Sequence, residues 1–464
     1  MAYVQSFGAA EVVTGSCHIV HLPSGPTVMV DCGMFQGEEE RENARPFGFD
    51  PKKVDILLIT HAHLDHVGRI PKLVKEGFRG KIITLRSTMD LAEVVLLDAA
   101  HLMEEDYRTR YRKAQRRGTE KRVKPPIYTV GDVEAVFELP ILYATYDTKI
   151  ELSRGVEVVF RNAGHILDSA TIQIEYETNK GRKSIVFSGD LGNHNDIVMP
   201  DPVPLRYADA LYIESTYGDR NHKPIKESVA EFKQVIQNTL LSQGNVLIPS
   251  FAIERTQEIL CILKKMYDNH ELPRCRVYLD SPMAIRATEI YNLYHEELSR
   301  ECNDYLRRDG TIFEFPWLEY TSRPEESRKI NEQNGCIIIA GSGMCNGGRI
   351  LHHFKNRIWN PKNSVIFVGY QAKETLGRKI VDGAEWITLY HEKIRVRARI
   401  HTINGFSAHA DQSELLAWMQ SFRHLGKIFL VHGEREKQEI FRKAIRSKMH
   451  NPVHIVKERE KIWI

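Results

Sequence analysis

The chain has no apolar run near the roughly 20 residues that would span a bilayer. Its first residues, MAYVQSFGAAEVVTGSCHIV, lack a basic stretch leading into a continuous apolar one. Neither a membrane span nor a secretory leader is expected. Its seven cysteines include no C-x-x-C pair, and an odd number suits a disulfide framework poorly. The expectation is a reducing, cytoplasmic compartment and no membrane partner. Charge of one sign is lacking too: 64 Lys plus Arg stand against 61 Asp plus Glu, a net of +3. Overall charge therefore does not draw a polyanion, and any nucleic-acid surface must come from local clustering or from bound cations that the count omits. No repeat of roughly 20–50 residues and no low-complexity linker interrupts the chain.

What is present is a globular composition. Of 464 residues, 42% are hydrophobic and 27% charged, enough for a real core in two or three domains or in one domain with an insertion. Short apolar segments with Gly, Pro or charged borders read as strands at His18–Leu22, Thr27–Asp31 and Asp55–Thr60. Residues 88–118 carry apolar positions at helical spacing and a highly charged end. Strands return at Val156–Phe160, Thr171–Tyr176 and Ser184–Phe187. Asn245–Ile248, Arg276–Leu279, Cys336–Ala340 and Ser364–Val368 look like buried parallel strands, each running into a loop. A helix at Gln412–Phe422, a strand at Lys427–Val431, another helix and a strand near Val453–Val456 close the chain. Strands alternating with helices argue an α/β class with buried sheets.

The densest chemistry is His61-x-His63-x-Asp65-His66, directly after the apolar segment Asp55–Thr60. In an extended chain, residues two apart point the same way, so His61 and His63 face one point. Asp65 and His66 follow at the expected start of a helix and face a second. Imidazole nitrogen and carboxylate oxygen are the donors of open, catalytic zinc sites. A lone histidine is more often a packed or capping residue than a ligand. Four donor-type residues within six positions are hard to reconcile with packing alone. Two further donors stand at strand ends: His165 in Ala-Gly-His-Ile-Leu-Asp and Asp190 in Phe-Ser-Gly-Asp-Leu-Gly. The two oxygens of Asp190 suit it to bridge a pair of ions. Such a pair polarises a phosphoryl oxygen and acidifies a bridging water.

The run His61–His66 resembles the signature of the metallo-β-lactamase superfamily. From about residue 5 to 464 the chain looks like the β-CASP branch of RNA-processing nucleases, in its short bacterial form. Asp31 matches the first motif, in which an Asp orients a ligand histidine; His165 and Asp190 match the third and fourth. Glu214 in Tyr-Ile-Glu-Ser-Thr-Tyr-Gly, His409 in Gly-Phe-Ser-Ala-His-Ala-Asp and His432 in Leu-Val-His-Gly-Glu match the branch's motifs A, B and C. The resemblance implies two Zn2+ ions, with Mn2+ as the alternative metal. One would be held by His61, His63, His165 and Asp190, the other by Asp65, His66, Asp190 and His432. It also implies that Asp65, Asp31, Glu214 and His409 serve catalysis. Glu214 would orient His409, whose imidazolium protonates the leaving 3′ oxygen after attack by a metal-bridged hydroxide.

The resemblance further implies an αββα sandwich with an inserted α/β domain. Residues 1–208 and 395–464 would form the metallo-β-lactamase domain, and 209–394 the β-CASP insert. Strands ending at Ser250, Asp280, Gly341 and Gly369 would then present their loops toward one cleft. Those loops combine glycines, hydroxyls and cations, which suit phosphate oxygens. Ser250, Arg255, Ser342, Arg349, Lys373 and Arg378 are the candidate phosphate contacts. The basic tract Arg108–Lys124 reads more readily as the solvated end of a helix than as an RNA surface.

The expected function is zinc-dependent endonucleolytic hydrolysis of single-stranded RNA. A histidine at motif C resembles the RNA-acting members. A 5′-to-3′ exonuclease of the RNase J kind is the second reading. Its loops differ from Gly341–Gly348 and Gly405–Asp411, and it carries a further C-terminal domain, whereas this chain ends about 30 residues after His432. No KH-type module is expected either. A hydrolase of small thioesters or lactams would not need the His409–Glu214 pair. A non-catalytic RNA-processing scaffold would have lost ligand positions that here are all filled. Homodimers are common among relatives, though no dimer surface is legible.

Overall fold

The computed structural model describes every residue except Ser24, Tyr370 and Lys373. The chain divides into two compact units. The first comprises Met1–His194, Asp201–Asn221 and His409–Ile464, and the second Asn195–Pro200 and His222–Ala408. Sheet pairing explains why these bounds depart from the expected insert at 209–394. The strand Tyr207–Ile213 runs parallel to both Gly181–Phe187 and His424–Leu430, so it belongs to the first unit. At the other end, Arg399–Thr402 pairs with Ser364–Phe367 and extends the sheet of the second.

The first unit holds two seven-stranded sheets. One runs Ile462–Trp463, Tyr3–Ser6, His18–His21, Thr27–Val30, Ile56–Leu58, Lys81–Thr84, Ile141–Tyr143. The other runs Val453–Ile455, His424–Leu430, Tyr207–Ile213, Gly181–Phe187, Ala170–Thr178, Val156–Asn162, Lys149–Ser153. Alternate side chains of both meet in one core, including Val20, Val28 and Leu58 against Ile172, Ile185, Phe187 and Tyr212. The opposite face of the second sheet, through Val186, Leu211, Ile213 and Ile428, packs on Leu415, Trp418 and Met419 of helix Gln412–Gln420 and on Phe441 and Ile445 of helix Arg435–Lys448. This is the αββα sandwich. The short strands at Tyr3–Ser6, Lys149–Ser153 and Ile462–Trp463 have too few residues to show a period in the sequence.

The second unit is built on a six-stranded parallel sheet in the order Leu318–Tyr320, Val277–Leu279, Ile337–Ala340, Val246–Pro249, Ser364–Phe367, Arg399–Thr402. Its central strands are buried at every position, which is why they read as continuous apolar runs rather than alternating ones. The long helix Arg86–Gln115 of the first unit buries Met89, Leu91, Ala92, Leu96 and Ala100 and then leaves the core. Beyond that point its charges pair along the helix, Arg108 with Glu104 and Arg110 with Asp106. No helix among the described residues is long and apolar enough to cross a membrane.

Candidate metal centre

Strand Ile56–Leu58 delivers the ligand run. Ile59 still donates to Ile83 at 3.2 Å, and the chain then stays extended through His63, which precedes a single helical turn at Leu64–Val67. Extended backbone sends His61 and His63 to one side, and the turn sends Asp65 and His66 to another. Gly33 permits this packing. A Cβ there would stand 1.5 Å from the Asp65 carbonyl oxygen, so only glycine lets the chain after Thr27–Val30 lie against that turn. Gly192 plays the same part for the third ligand loop, where a Cβ would stand 1.8 Å from the Gly164 carbonyl oxygen.

Two groups of donor atoms result. In the first, His63 Nδ1 lies 3.2 Å from His61 Nε2 and 3.1 Å from His165 Nε2, and Asp190 Oδ2 lies 3.4 Å and 3.6 Å from the same two Nε2 atoms. In the second, His66 Nε2 lies 3.1 Å from His432 Nε2, which is 3.6 Å from Asp65 Oδ2. Within each group the donor atoms all lie within 4.8 Å of one another. Asp190 Oδ2 is also 3.4 Å from His66 Nε2, so one carboxylate faces both groups.

The lone pairs are aimed by a buried network. Asp31 Oδ2 lies 2.7 Å from His66 Nδ1, and a carboxylate only accepts, so Nδ1 carries the proton and Nε2 is left as the donor to a metal. The Thr60 hydroxyl donates to Asp31 (2.9 Å to Oδ2) and is thereby free to accept from His61 Nδ1 at 3.0 Å. One carboxylate thus sets two imidazole tautomers, the second through Thr60. Asp31 itself is held by the Thr60 amide at 2.8 Å and the Ser16 hydroxyl at 3.3 Å. Its φ of +60° is a sparsely populated conformation for a non-glycine residue, as is the +52° of His432. The His432 amide donates to Ala9 O at 2.8 Å, and its Nδ1 lies 3.1 Å from Thr216 Oγ1.

Electrostatics favour cation binding at His61, His63 and His165, whereas at His66 burial opposes the charged form but Asp190 and Asp31 raise it well above its ordinary value. Burial, reinforced by the charge of His61, pushes His63 down to about 3. Burial likewise lowers His61 and His165, each aided by a neighbouring histidine. Burial works against the charged forms of Asp65 and Asp190, yet the facing histidines hold both well below the usual carboxylate range. Neutral imidazoles and ionised carboxylates are what a metal requires. Asp190 Oδ1 is buried without a hydrogen-bond partner, and a buried carboxylate oxygen left so is costly. These residues fit a dinuclear site of nitrogen and oxygen donors.

Beside it, His409 Nδ1 lies 3.2 Å from Glu214 Oε1 and 3.9 Å from Asp190 Oδ2. Burial opposes its charged form, but the Glu214 charge and hydrogen bond, with Asp190 and Asp65, raise it to about 9. Glu214 is fully buried and in turn accepts from the Leu191 amide at 2.7 Å. All nine residues proposed as ligands or as the acid pair, and Asp31, lie in the first unit. Ser16, Thr60 and Thr216 complete the network. Thr60 had one sequence signal, its place immediately before His61; Ser16 and Thr216 had none.

The candidate phosphate contacts lie in the second unit. Ser250 is buried and takes the Thr256 hydroxyl at 3.0 Å, while donating to Phe251 O at 3.1 Å. Arg255 is 5% exposed and pairs with Glu254 and Glu258. Arg349 donates to Asp280 Oδ1 at 2.6 Å and to the carbonyls of Thr321 and Ser322. Ser342 Oγ lies 3.4 Å from Gly347 O, and Arg378 pairs with Asp382 on the surface. Lys373 lies outside the described residues. Sequence reasoning missed Asp280, which Arg349, His353, Ser327 and Thr321 surround.

The chain is similar to known proteins along most of its length. Residues 10–233 match the metallo-beta-lactamase superfamily, 256–380 the Beta-Casp domain, and 393–456 the Zn-dependent metallo-hydrolase RNA specificity domain. The chain is 43% identical to Ribonuclease TTHA0252 of Thermus thermophilus over 93% of each protein. It is 30% identical to an RNase J-like protein of Methanocaldococcus jannaschii over 98% of each. Against the transcription termination factor FttA of Cenarchaeum symbiosum it is 30% identical over 94% of this chain and 67% of that one. A solved Enterococcus faecalis protein of unknown function shares the fold, with a TM-score of 0.56 at 12% identity over the whole of both chains.

Proposed function

Because the chain belongs to the β-CASP branch of the metallo-β-lactamase superfamily and is a metal-dependent ribonuclease, we propose that it is an endonuclease cutting single-stranded RNA with two zinc ions. The observation that carries this reading is Asp190, whose Oδ2 lies 3.4 Å from both His61 Nε2 and His66 Nε2. His61, His63, His165 and Asp190 would hold one ion, and Asp65, His66, Asp190 and His432 the other. Bound there, the pair supplies Lewis acidity at phosphorus and an acidified water for the attack.

The protein's own groups do the rest. Asp31 and Thr60 keep the Nε2 lone pairs of His66 and His61 directed at the centre. His409, protonated at neutral pH beside Glu214, stands 21% exposed at its side chain and gives its proton to the departing 3′ oxygen. Glu214 positions that imidazole. Among the loop candidates, Ser342 and Arg378 are the proposed phosphate contacts, since Arg255 and Arg349 are held by buried carboxylates, whereas the Arg378–Asp382 pair lies on the surface. The seven free cysteines, all buried, suit the reducing cytoplasm, and the protein is proposed to work there, as a homodimer.

Circular and 5′-labelled single-stranded RNA distinguish the choices, with His409→Ala and Asp65→Ala alongside. Cleavage of the circle, lost in both variants and with two zinc ions per chain in the wild type, supports the proposal. Mononucleotides released from 5′ ends with the circle intact make the protein an exonuclease instead. One ion per chain, or full activity with manganese alone, overturns the zinc pair.

A further inference from the structure

A second concave space lies in the first unit, and none of the donor residues lines it. It is a cavity of about 110 Å³ walled by Phe7, Phe35 and Phe47, with Arg69 and Glu39 among its lining. Phe7 and Phe35 are buried and Phe47 is half-buried. The volume is well below the roughly 300 Å³ at which pockets for drug-sized ligands begin, so it suits a single ring system. Flat aromatic walls take nucleobases because every base offers a π-face.

Arg69 gives the cavity its chemistry. It is 5% exposed, and its guanidinium carbon stands 4.5 Å from the Phe35 ring centre and 5.3 Å from that of Phe47. Its Nε donates to Gly33 O and its Nη2 to Gly15 O at 3.3 Å. Neither bond uses Nη1, and no carboxylate among the described residues pairs with this buried cation. Its neighbours differ: Arg45 pairs with Glu42 and Arg459 with Glu458. Glu39 is left without a cation among the described residues. The lining therefore offers one unpaired donor fork and one unpaired carboxylate.

Resting on the ribonuclease reading, we infer that this cavity binds a guanine base. Guanine presents two acceptors, O6 and N7, to an arginine fork, and N1–H and N2–H donors to a carboxylate. Adenine offers only one acceptor to the same fork, and the pyrimidines offer a smaller face to the phenylalanines. The cavity wall is hydrogen-bonded to the backbone that carries the donor residues. Ala9, beside lining residues Gly8 and Ala10, accepts from the His432 amide, and lining residue Val12 accepts from Gly433 at 3.2 Å. Gly33, held by Arg69, donates to Ser16 O at 2.7 Å, and Ser16 donates to Asp65 O at 2.8 Å. A bound base therefore presses on the segments that present Asp65 and His432.

The test uses nucleosides, which carry no phosphate to compete for metals, titrated into the zinc-loaded full chain by calorimetry. Guanosine is expected to bind about tenfold more tightly than adenosine, cytidine or uridine. Phe47→Ala should weaken it, and Glu39→Gln should remove most of the preference. Both residues are on the rim, so these variants avoid the folding risk of replacing Arg69. Equal binding of all four nucleosides, or none at millimolar concentration, overturns the inference. So does a guanosine preference untouched by both variants. The source of the base is read from oligonucleotides with and without guanine. If it comes from the RNA, the guanine-containing strand has the lower KM and Glu39→Gln brings the two together. If the KM values are equal while guanosine still binds, the occupant is a free guanine nucleotide. Failure of the endonuclease reading shows separately, as an intact circular RNA.

Discussion

Glu214 Oε1 lies 3.2 Å from His409 Nδ1 and simultaneously accepts the Leu191 amide at 2.7 Å, one residue beyond Asp190. His409 and the segment carrying Asp190 are therefore held by one carboxylate and one peptide bond. If His409 donates the leaving-group proton, its loss should matter only where the leaving group needs one. His409→Ala is expected to slow RNA cleavage by about 10²–10⁴-fold. On bis(p-nitrophenyl) phosphate, whose leaving group departs unprotonated, the deficit should largely vanish. An equal loss on both substrates would assign His409 a structural part. Glu214→Gln should show the same substrate dependence more weakly.

The Asp31–Thr60 relay predicts an effect on metal binding from a residue that touches no metal. Thr60→Val keeps the side chain's shape and removes the hydroxyl that joins His61 Nδ1 to Asp31. Zinc affinity is expected to fall by about 10–100-fold, with activity recovered at high zinc. Asp31→Asn should behave similarly through His66. Competition with a chromophoric chelator measures this; unchanged affinity in both variants would remove the relay from the account.

A methyl group at Gly33 has nowhere to go, because it would stand 1.5 Å from the Asp65 carbonyl oxygen. Gly33→Ala is expected to lower stability by about 2–4 kcal/mol and to reduce zinc stoichiometry. Thermal unfolding and metal analysis of the purified variant check both. A variant with wild-type Tm and two ions would mean that the ligand turn yields easily.

Asp280 gives the second unit a pH signature. Burial alone would raise its carboxyl, but the bonds from His353, Ser327 and Arg349 prevail and bring it to about 2. A depressed carboxylate contributes stability in full above its unfolded pKa near 3.8, and that contribution disappears as pH falls through about 2. The full contribution is on the order of 2 kcal/mol. Asp280→Asn should therefore be less stable than wild type at pH 6, with the gap closing between about pH 4 and 2. Denaturant midpoints of both proteins across that range make the comparison. A gap independent of pH would mean that shape, not charge, is what Asp280 supplies.

Much of the centre was written locally. His61, His63, Asp65 and His66 sit within six positions, and the change from extended chain to helical turn that separates their directions is itself a short-range property. The buried parallel strands of the second unit were legible for a similar reason. A strand covered on both faces needs apolar residues throughout, as Ile337–Ala340 has.

Other features depend on residues far apart in the chain, which no local period encodes. That Asp190 faces both donor groups follows from strands Gly181–Phe187 and Ile56–Leu58 belonging to different sheets packed on one core. The partners of Arg349 were equally hidden: the sequence presents a free cation in a glycine-rich loop, and only packing reveals Asp280 beside it. The unit boundaries at 194–201 and 221–222 were decided by which sheet Tyr207–Ile213 joined, a matter of pairing energy between distant strands. The sequence by itself determined the kinds of donor atom and their order along the chain. Tertiary structure alone decided which of them stand together, which proton the imidazoles of His61 and His66 keep and which cations are already neutralised. Those properties belong to contacts between distant residues, and they come into existence only when the core brings the segments together.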